Sequence, residues 1–324
     1  MWIDRIFTPH TESSFAELAL EIFEYQYHNL KPYGQFCQLL DRNPHQVNKL
    51  EEIPFFPIEF FKDYALSDQV DVTQAIFTSS GTTGSIPSKH FVRDLDLYHL
   101  SADLAFRQFV GDPAEMVILA LLPAYLERSG SSLVHMVDRL IHQSEHPESG
   151  FYLDDLPALA DKLRQLEAQG QSCLLIGVSF ALLDLIEHGP FHLQHTLVME
   201  TGGMKGRRKE MVREELHAKL INGFGVDKIW SEYGMTELLS QAYSDGKGIF
   251  KSPPWMKILT RDTEDPLSWV SGASGGINVI DLANVHSCSF LATQDLGRVY
   301  PDGSFEVLGR FDHSDIRGCN LMVL

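Results

Sequence analysis

A short apolar run opens into a loop of glycines and hydroxyl residues that ends at a lysine. The run ends at Phe77 and the lysine is Lys89. Glycines let the backbone approach a ligand closely, successive N–H groups form a concave anion site, and a lysine adds a point charge. This is the chemistry that holds nucleotide phosphates, although a flexible linker has a similar composition. The candidate phosphate-binding residues are Ser79, Ser80, Gly81, Thr82, Thr83 and Gly84.

Three later segments place polar residues directly after, or within, predicted strands. The first contains Gly202 and Gly203, and the second is the run from Trp230 to Glu237. The third is formed by Asp295 and by Arg310 shortly after it. The candidate site residues in the second segment are Tyr233, Gly234, Thr236 and Glu237.

Alternating strands and helices must position these segments. The hydrophobic patterns predict strands at 116–122, 173–177, 196–199 and 228–230, and helices at 131–141, 155–169, 180–187 and 207–220. From residue 256 onward only strands are predicted, at 256–259, 276–282, 289–293 and 304–308. Near the start, Ser14 to Glu17 has the pattern of a capping box. The fold class is therefore α/β, with mostly parallel central sheets followed by a β-rich part.

In order and spacing, these segments resemble the adenylate-forming superfamily, which includes the acyl-CoA synthetases. The YGxTE motif of that superfamily appears here as Tyr233 to Glu237. The resemblance implies that the loop binds the phosphates of ATP, that Tyr233 covers the adenine, and that Thr236 contacts the α-phosphate. It also implies that Glu237 binds Mg²⁺, that Asp295 holds the ribose hydroxyls, and that Arg310 lies near the ribose or phosphate.

The aromatic segment 53–62, the run 122–128 and the ending from Gly309 to Asn320 are similar to the acyl-protein synthetase (LuxE) family within that superfamily. This resemblance implies a large adenylate-forming domain over residues 1–309, β-rich from about residue 256, and a C-terminal tail over residues 310–324. It also implies that the small mobile C-terminal domain of the superfamily, with its catalytic lysine, is lacking.

The same resemblance implies that ATP activates a long-chain fatty acid or another carboxylic acid as acyl-AMP. The acyl group is then expected to move to Cys319 and on to a partner, either an acyl-accepting reductase or a carrier protein. Lys89 and Thr236 are the other candidate catalytic residues, since an anionic carboxylate must approach an anionic phosphate. The predicted cofactors are ATP and Mg²⁺.

The residues alone leave three alternative functions open. Gly177, Ser179 and the turn around them approach the nucleophile-elbow pattern, so Ser179 could serve a serine acyl-hydrolase or acyltransferase. A shortened CoA ligase would use CoA as the acyl acceptor, and a nucleotide-binding remnant would bind ATP without catalysing a reaction.

The cluster of His188, His192 and His195 matches no common zinc motif and is expected to be a solvated loop.

Charge and composition argue against several classes of protein, among them nucleic-acid-binding, secreted and membrane-spanning proteins. A net charge of −18 offers no basic field for nucleic acid. The start of the chain lacks the apolar core of a signal peptide, and no apolar run is long enough to span a bilayer. The scattered cysteines fit a reducing cytoplasm, with Cys37, Cys173 and Cys288 expected in the core.

Overall fold

The computed structural model describes residues 2–79, 86–122, 130–153, 155–202 and 211–310. Its α-helices within these ranges are α1 (Trp2–Ile6), α2 (Glu12–Asn29), α3 (Lys31–Leu39), α4 (Leu95–Phe109), α5 (Ser132–Ser144), α6 (Leu156–Ala168), α7 (Ser179–Ile186) and α8 (Arg213–Phe224). Its strands are β1 (Phe56–Pro57), β2 (Ala75–Thr78), β3 (Lys89–Val92), β4 (Val117–Leu121), β5 (Gly150–Phe151), β6 (Cys173–Gly177), β7 (Thr196–Glu200), β8 (Trp230–Tyr233), β9 (Ala242–Ser244), β10 (Ile249–Phe250), β11 (Met256–Arg261), β12 (Trp269–Val270), β13 (Gly275–Asp281), β14 (Phe290–Val299) and β15 (Phe305–Arg310).

A parallel sheet forms the centre of the α/β part, as predicted. Its strand order is β5-β4-β6-β7-β8-β9, and only β9 runs antiparallel to its neighbour. Every residue of β4 and β6 is buried, because helices cover both faces of a parallel sheet. The carboxyl ends of β6, β7 and β8 therefore meet at one edge, where parallel sheets commonly bind ligands.

The β-rich part forms a second, antiparallel sheet. The order of its strands is β10-β15-β14-β13-β11-β12, and β1 from the aromatic segment joins β14 in parallel. This segment also contributes Phe56 and Phe61, each 1% exposed, to the core. The short strands β1, β5, β9, β10 and β12 were not predicted, because runs of two or three residues carry no detectable alternation.

The loop predicted to bind phosphate lies in a two-stranded hairpin. The apolar run before it is β2, and β3 returns antiparallel to it, so that Thr78 pairs with Lys89. Residues 80–85, which include five of the six candidate phosphate-binding residues, lie outside the described residues. The two ends of the loop can nevertheless be located from Ser79 and Ser88.

Several boundaries differ from the sequence prediction. The prediction that the capping box begins at Ser14 is wrong. Thr11 is the N-cap of α2, and the Ser14 side chain accepts the second hydrogen bond of the box from the Thr11 N–H. The predicted helix 207–220 is described from Arg213 to Phe224, and residues 207–210 lie outside the described residues. Strand β8 extends to Tyr233 instead of ending at Trp230, because β7 and β9 pair with its polar residues.

Buried polar side chains connect the N-terminal helices to the second sheet. Gln26 of α2 is fully buried, and its Nε2 donates to the carbonyl oxygens of Asn284 and Val285 at 3.1 and 3.0 Å. Its Oε1 accepts from the Ser289 N–H at 3.1 Å.

Cys37, Cys173 and Cys288 are buried as predicted. Within the described ranges, no helix is long and apolar enough to cross a membrane.

Leu175 in the middle of β6 tests the packing of the parallel sheet. It is fully buried and pairs with Leu119 on one side and Val198 on the other. We expect Leu175→Ala to lower the free energy of unfolding by about 3 kcal/mol in urea denaturation, because it leaves a cavity. The control Leu39→Ala removes a side chain that is 86% exposed and should change the stability little. Equal losses in both variants would contradict this packing.

Candidate active site

The base of the candidate phosphate loop contacts the carboxylate of Glu237. The Ser79 N–H donates to the carbonyl oxygen of Ser88 at 3.1 Å, and the Ser88 N–H donates to Ser79 Oγ at 3.0 Å. These two bonds hold the ends of the loop together. The Ser88 hydroxyl donates to Glu237 Oε1, and both side chains are buried. The loop therefore begins and ends beside the carboxylate predicted to bind a metal.

The backbone of Thr236 and Glu237 is held by side chains from two other elements. His90 of β3 is fully buried, and its Nδ1 lies 2.8 Å from the accepting carbonyl oxygen of Thr236. Asn284 Nδ2 donates to the carbonyl oxygen of Glu237 at 2.8 Å. The hairpin and the second sheet thus position both residues.

A buried carboxylate, Asp281, holds the segment that follows Glu237. Its Oδ2 accepts from the N–H groups of Leu239 and Ser240 at 2.8 and 3.0 Å. Its Oδ1 accepts from Ser240 Oγ at 2.6 Å and from the Ala283 N–H at 3.2 Å. Because Asp281 ends β13, these bonds attach the segment after β8 to the second sheet.

The two sheets join where Asp281 holds the segment after β8, and we call this place the junction. On its other side, the side chains of Tyr233, Asp295 and Arg310 meet. The Tyr233 hydroxyl donates to Asp295 Oδ2 at 2.8 Å, and Arg310 Nε lies 3.6 Å from Asp295 Oδ1. The Tyr233 ring packs against Phe305 and Phe250, with centroids 5.5 and 5.9 Å away. The Arg310 side chain is 75% exposed. A packed aromatic ring, a carboxylate and an exposed cation suit the base, hydroxyls and phosphate of a nucleotide.

Burial raises the pKa of both carboxyl groups at this junction. For Glu237 the hydrogen bond from Ser88 opposes that effect, and for Asp295 the hydrogen bond from Tyr233 opposes it. Burial also raises the pKa of Tyr233 well above its ordinary value, so its hydroxyl keeps the proton that it donates to Asp295.

Glu200 lies at the carboxyl end of β7, beside Gly202. Its Oε2 accepts from the Gly202 N–H at 2.6 Å and from Ser179 Oγ at 3.4 Å, and its Oε1 lies 3.6 Å from His217 Nε2. Burial opposes ionisation of Glu200, but His217 and the charge of Arg213 outweigh it and lower the pKa. Gly202 has a φ of +72°, a conformation that favours glycine.

Ser179 does not have the surroundings of a hydrolase nucleophile. Its side chain is buried, with 2% of the residue exposed, and its hydroxyl donates to a carboxylate, whereas a catalytic serine donates to a histidine. Among the described residues, His188, His192 and His195 form no group with other ligands that could hold a metal.

The donor set around Glu237 fits Mg²⁺ that arrives with a nucleotide. No group of three or more His, Cys, Asp or Glu side chains in the described ranges could hold a metal by itself. A carboxylate and the adjacent Ser88 hydroxyl are hard oxygen ligands. Mg²⁺ is commonly bound through one or two carboxylates together with substrate phosphates.

The chain is similar to known ligases in sequence and in structure. It is 26% identical to the long-chain-fatty-acid–luciferin-component ligase of Vibrio harveyi, over 94% of this chain and 86% of that protein. ATP-bound MatB from Rhodopseudomonas palustris superposes with a TM-score of 0.54 and 19% identity, over 75% of this chain and 49% of MatB. A 2-hydroxyisobutyryl-CoA ligase in complex with 2-HIB-AMP and CoA superposes with a TM-score of 0.66 and 12% identity, over 93% of this chain and 70% of that chain. No protein-family model matches the chain.

The chain has the large-domain fold of the adenylate-forming ligases. The fold class predicted from the sequence and the predicted resemblance to the acyl-protein synthetases are both confirmed. The chain spans about half the length of MatB.

Within this adenylate-forming fold, the structure brings together residues from three of the predicted segments. The residues around the junction of the two sheets are Ser79, Tyr233, Gly234, Thr236, Glu237, Asp295 and Arg310. Gly202 lies at the neighbouring strand end. Lys89 is exposed and begins β3. Ser80, Gly81, Thr82, Thr83, Gly84, Gly203 and Cys319 lie outside the described residues.

Several residues that shape the site were not predicted as site residues. Ser88, His90, Asp281 and Asn284 contact the Thr236–Ser240 segment. A signal was present for Asp281 alone, since a carboxylate directly after the apolar residues of β13 must find partners if it is buried. No sequence motif indicated Ser88, His90 or Asn284 as site residues.

Glu232 provides a test of the electrostatics beside Tyr233. Burial and the charge of Glu200 raise its pKa to about 8. Between the ordinary pKa of 4.5 and about 8, the unfolded chain has lost this proton while the folded protein keeps it. This group therefore makes the protein less stable as the pH rises, by at most about 1.4 kcal/mol per pH unit.

We expect Glu232→Gln to flatten the decline in stability between about pH 5 and about pH 8, because glutamine does not titrate. Urea denaturation across that interval measures the slope. Glu115→Gln, which changes an exposed carboxylate, is the control and should leave the slope as it is. A Glu232→Gln protein with the slope of the wild type would show that Glu232 is ionised in the folded protein.

Proposed function

We propose that the chain is an ATP-dependent ligase that activates a carboxylic acid as acyl-AMP. The hydrogen bond between Ser88 and Glu237 carries this proposal, because it joins the base of the glycine-rich loop to the YGxTE segment. The similarity to a fatty-acid ligase and to ligases bound to ATP and to 2-HIB-AMP supports it.

The nucleotide is proposed to lie across the junction of the two sheets. Tyr233 provides the aromatic face for adenine, and Asp295, oriented by the Tyr233 hydroxyl, accepts from the ribose hydroxyls. Ser79 to Gly84, together with Gly202 and Gly203, are the residues that we assign to phosphate binding. Arg310 is close to Asp295 and exposed enough to reach ribose or phosphate.

In the first half-reaction, a carboxylate oxygen of the acid attacks the α-phosphorus of ATP, and pyrophosphate leaves. Two anions must approach each other, so the site has to offset their charge. Thr236 donates to the α-phosphate and Lys89 adds a positive charge at the end of the loop. Mg²⁺ held by Glu237 would neutralise phosphate charge when bound.

In the second half-reaction, the thiolate of Cys319 attacks the acyl carbon, and AMP leaves. A thiolate is a strong nucleophile, and a covalent thioester splits a difficult transfer into two easier steps. The acyl group then passes to an acyl-accepting reductase or a carrier protein. A long-chain fatty acid is the acid named for the Vibrio harveyi relative and is the first substrate to test.

Glu237→Gln tests the proposed metal ligand. We expect pyrophosphate exchange that depends on an added acid to fall by about 100-fold at limiting Mg²⁺, since a carboxylate ligand is lost. Glu115→Gln changes an exposed carboxylate elsewhere and should keep the wild-type rate. Unchanged exchange in the Glu237→Gln protein would remove Glu237 from this role.

Cys319→Ser separates the two half-reactions. We expect the variant to keep acid-dependent pyrophosphate exchange and to lose labelling by radioactive acid and ATP that neutral hydroxylamine cleaves, because serine forms no thioester. Cys173→Ala should keep the labelling, since Cys173 is buried and burial raises its pKa to about 12. Labelled Cys319→Ser protein would point to another acceptor. Release of acyl-CoA without any protein labelling would favour a shortened CoA ligase.

A further inference from the structure

Two histidines from neighbouring helices meet end to end between α4 and α5, and we call them the histidine pair. His99 Nε2 lies 2.9 Å from His135 Nε2, and the two rings are parallel within 3° with their centres 5.2 Å apart. The centres are thus farther apart than the nitrogens by about the sum of the two ring radii. The rings therefore lie in one plane, with the two nitrogens facing each other.

This arrangement has room for one proton between the two nitrogens. A neutral imidazole carries a hydrogen on one nitrogen and a lone pair on the other, so one Nε2 donates and the other accepts. A pair that gains one proton keeps this hydrogen bond, because a charged ring still donates to a neutral one. With both rings protonated, two N–H groups would point at each other across 2.9 Å. The rings therefore titrate as a pair, and the second proton separates them.

The surroundings of the pair oppose a positive charge. Burial has the largest effect, and it lowers the pKa of both histidines. The charged side chains that act on the two rings come from both helices and are Asp96, Asp103, Asp138 and Arg139. The aspartates favour a charged ring, whereas Arg139 opposes a charge on either ring. Both histidines are only half-buried, so protons from the solvent can reach them.

A second contact joins the same two helices one turn further along. Asp103 follows His99 by four residues on α4, and Arg139 follows His135 by four residues on α5. Arg139 Nε and Nη2 donate to Asp103 Oδ1 and Oδ2 at 2.9 and 2.6 Å. Histidine is the side chain whose ordinary pKa places its change of charge between pH 5 and 8. Of these two contacts, the histidine pair is therefore the one that responds to mild acid.

The histidine pair borders the strand that leads into the candidate phosphate loop. The Phe77 ring of β2 is 2% exposed and lies 5.5 Å from the His135 ring and 5.0 Å from the Tyr98 ring of α4. The Thr78 N–H donates to the carbonyl oxygen of Gly130, two residues before α5, at 2.7 Å. Together, α4 and α5 thus support β2 immediately before the loop begins.

On the basis of the proposed function, we propose that the histidine pair is an acid-sensitive contact that weakens nucleotide binding when the pH falls. Uptake of the second proton breaks the N–H···N hydrogen bond, and the two charged rings repel each other. The helices α4 and α5 then separate beside Phe77. As β2 loses this support, the loop after it loses the geometry that binds phosphate.

The number of protons that the pair accepts also sets how stability depends on pH. In the unfolded chain, both histidines take up a proton as the pH falls below their ordinary pKa of 6.5, whereas the intact pair takes up at most one. The stabilising contribution of the pair is therefore fully present above pH 6.5 and is lost as the pH falls below it. Each proton that the folded state lacks lowers the folding equilibrium constant by up to about tenfold per pH unit.

His99→Gln tests the pair by urea denaturation between about pH 5 and about pH 7.5. Glutamine does not titrate, and its amide oxygen can accept from a protonated His135. We expect the folding equilibrium constant of the wild type to fall by up to about tenfold more per pH unit than that of the variant. Asp103→Asn weakens the other contact between α4 and α5 and should keep the slope of the wild type. Equal slopes in the wild type and His99→Gln would overturn the shared proton.

The affinity for MgATP tests the effect on the loop. It is measured by titration calorimetry without any carboxylic acid, at about pH 7.5 and about pH 5.5. ATP itself titrates identically in every experiment, so the comparison between variants isolates the pair. From the higher to the lower pH, we expect the affinity of the wild type to fall about tenfold more than that of His99→Gln or His135→Gln. An equal fall in all three proteins would overturn the effect on nucleotide binding.

These outcomes separate the inference from the proposed function. Neither stability nor MgATP binding requires a carboxylic acid substrate. Protein that binds MgATP with the expected dependence on pH but exchanges pyrophosphate with no carboxylic acid would overturn acid activation and leave the role of the pair intact. Protein that binds no MgATP would overturn the proposed function together with the effect of the pair on nucleotide binding.

Discussion

The candidate site depends on the buried carboxylate of Asp281. Its two oxygens accept hydrogen bonds from Leu239, Ser240 and Ala283, and so satisfy backbone groups that have no strand partner. A fully buried carboxyl group is unfavourable unless such donors surround it. Asp281 belongs to the antiparallel sheet, whereas the segment it holds follows the last parallel strand, β8. One side chain therefore links the two sheets where the site lies.

The two faces of β8 have different surroundings. On one face, Tyr233 is fixed by Phe305 and by its hydrogen bond to Asp295, both from the antiparallel sheet. On the other face, Glu232 pairs with Tyr243 of β9, whose ring lies near Phe106 of α4 and whose hydroxyl contacts Met136 of α5. Alternation along a strand thus turns Glu232 away from the proposed nucleotide side, although it is the next residue in the chain.

Much of the architecture could be predicted because the patterns are long and regular. The buried strand β6 has the predicted bounds, and the neighbouring strands and helices differ by a few residues. Helices α3 and α4 were not predicted, and two boundary predictions failed where the choice depended on partners. Thr11 rather than Ser14 caps α2, because the hydrogen bond decides which of several hydroxyl residues starts the helix. Strand β8 continues through Ser231 and Glu232, since pairing of Ser231 with β7 and β9, and of Glu232 with β9, overrides their polar character.

The sequence by itself determined which residue types stand at the ends of strands, and therefore the α/β class and the kind of chemistry at those ends. Only the tertiary structure decided which of them meet. Ser88 contacts Glu237 across 149 positions, and Tyr233 contacts Asp295 across 62. Strand order and register set such contacts, and a shift of one residue would turn each side chain to the opposite face. Local periodicity contains no record of that register, so the contacts of Ser88, His90 and Asn284 with the site became visible only in the folded chain.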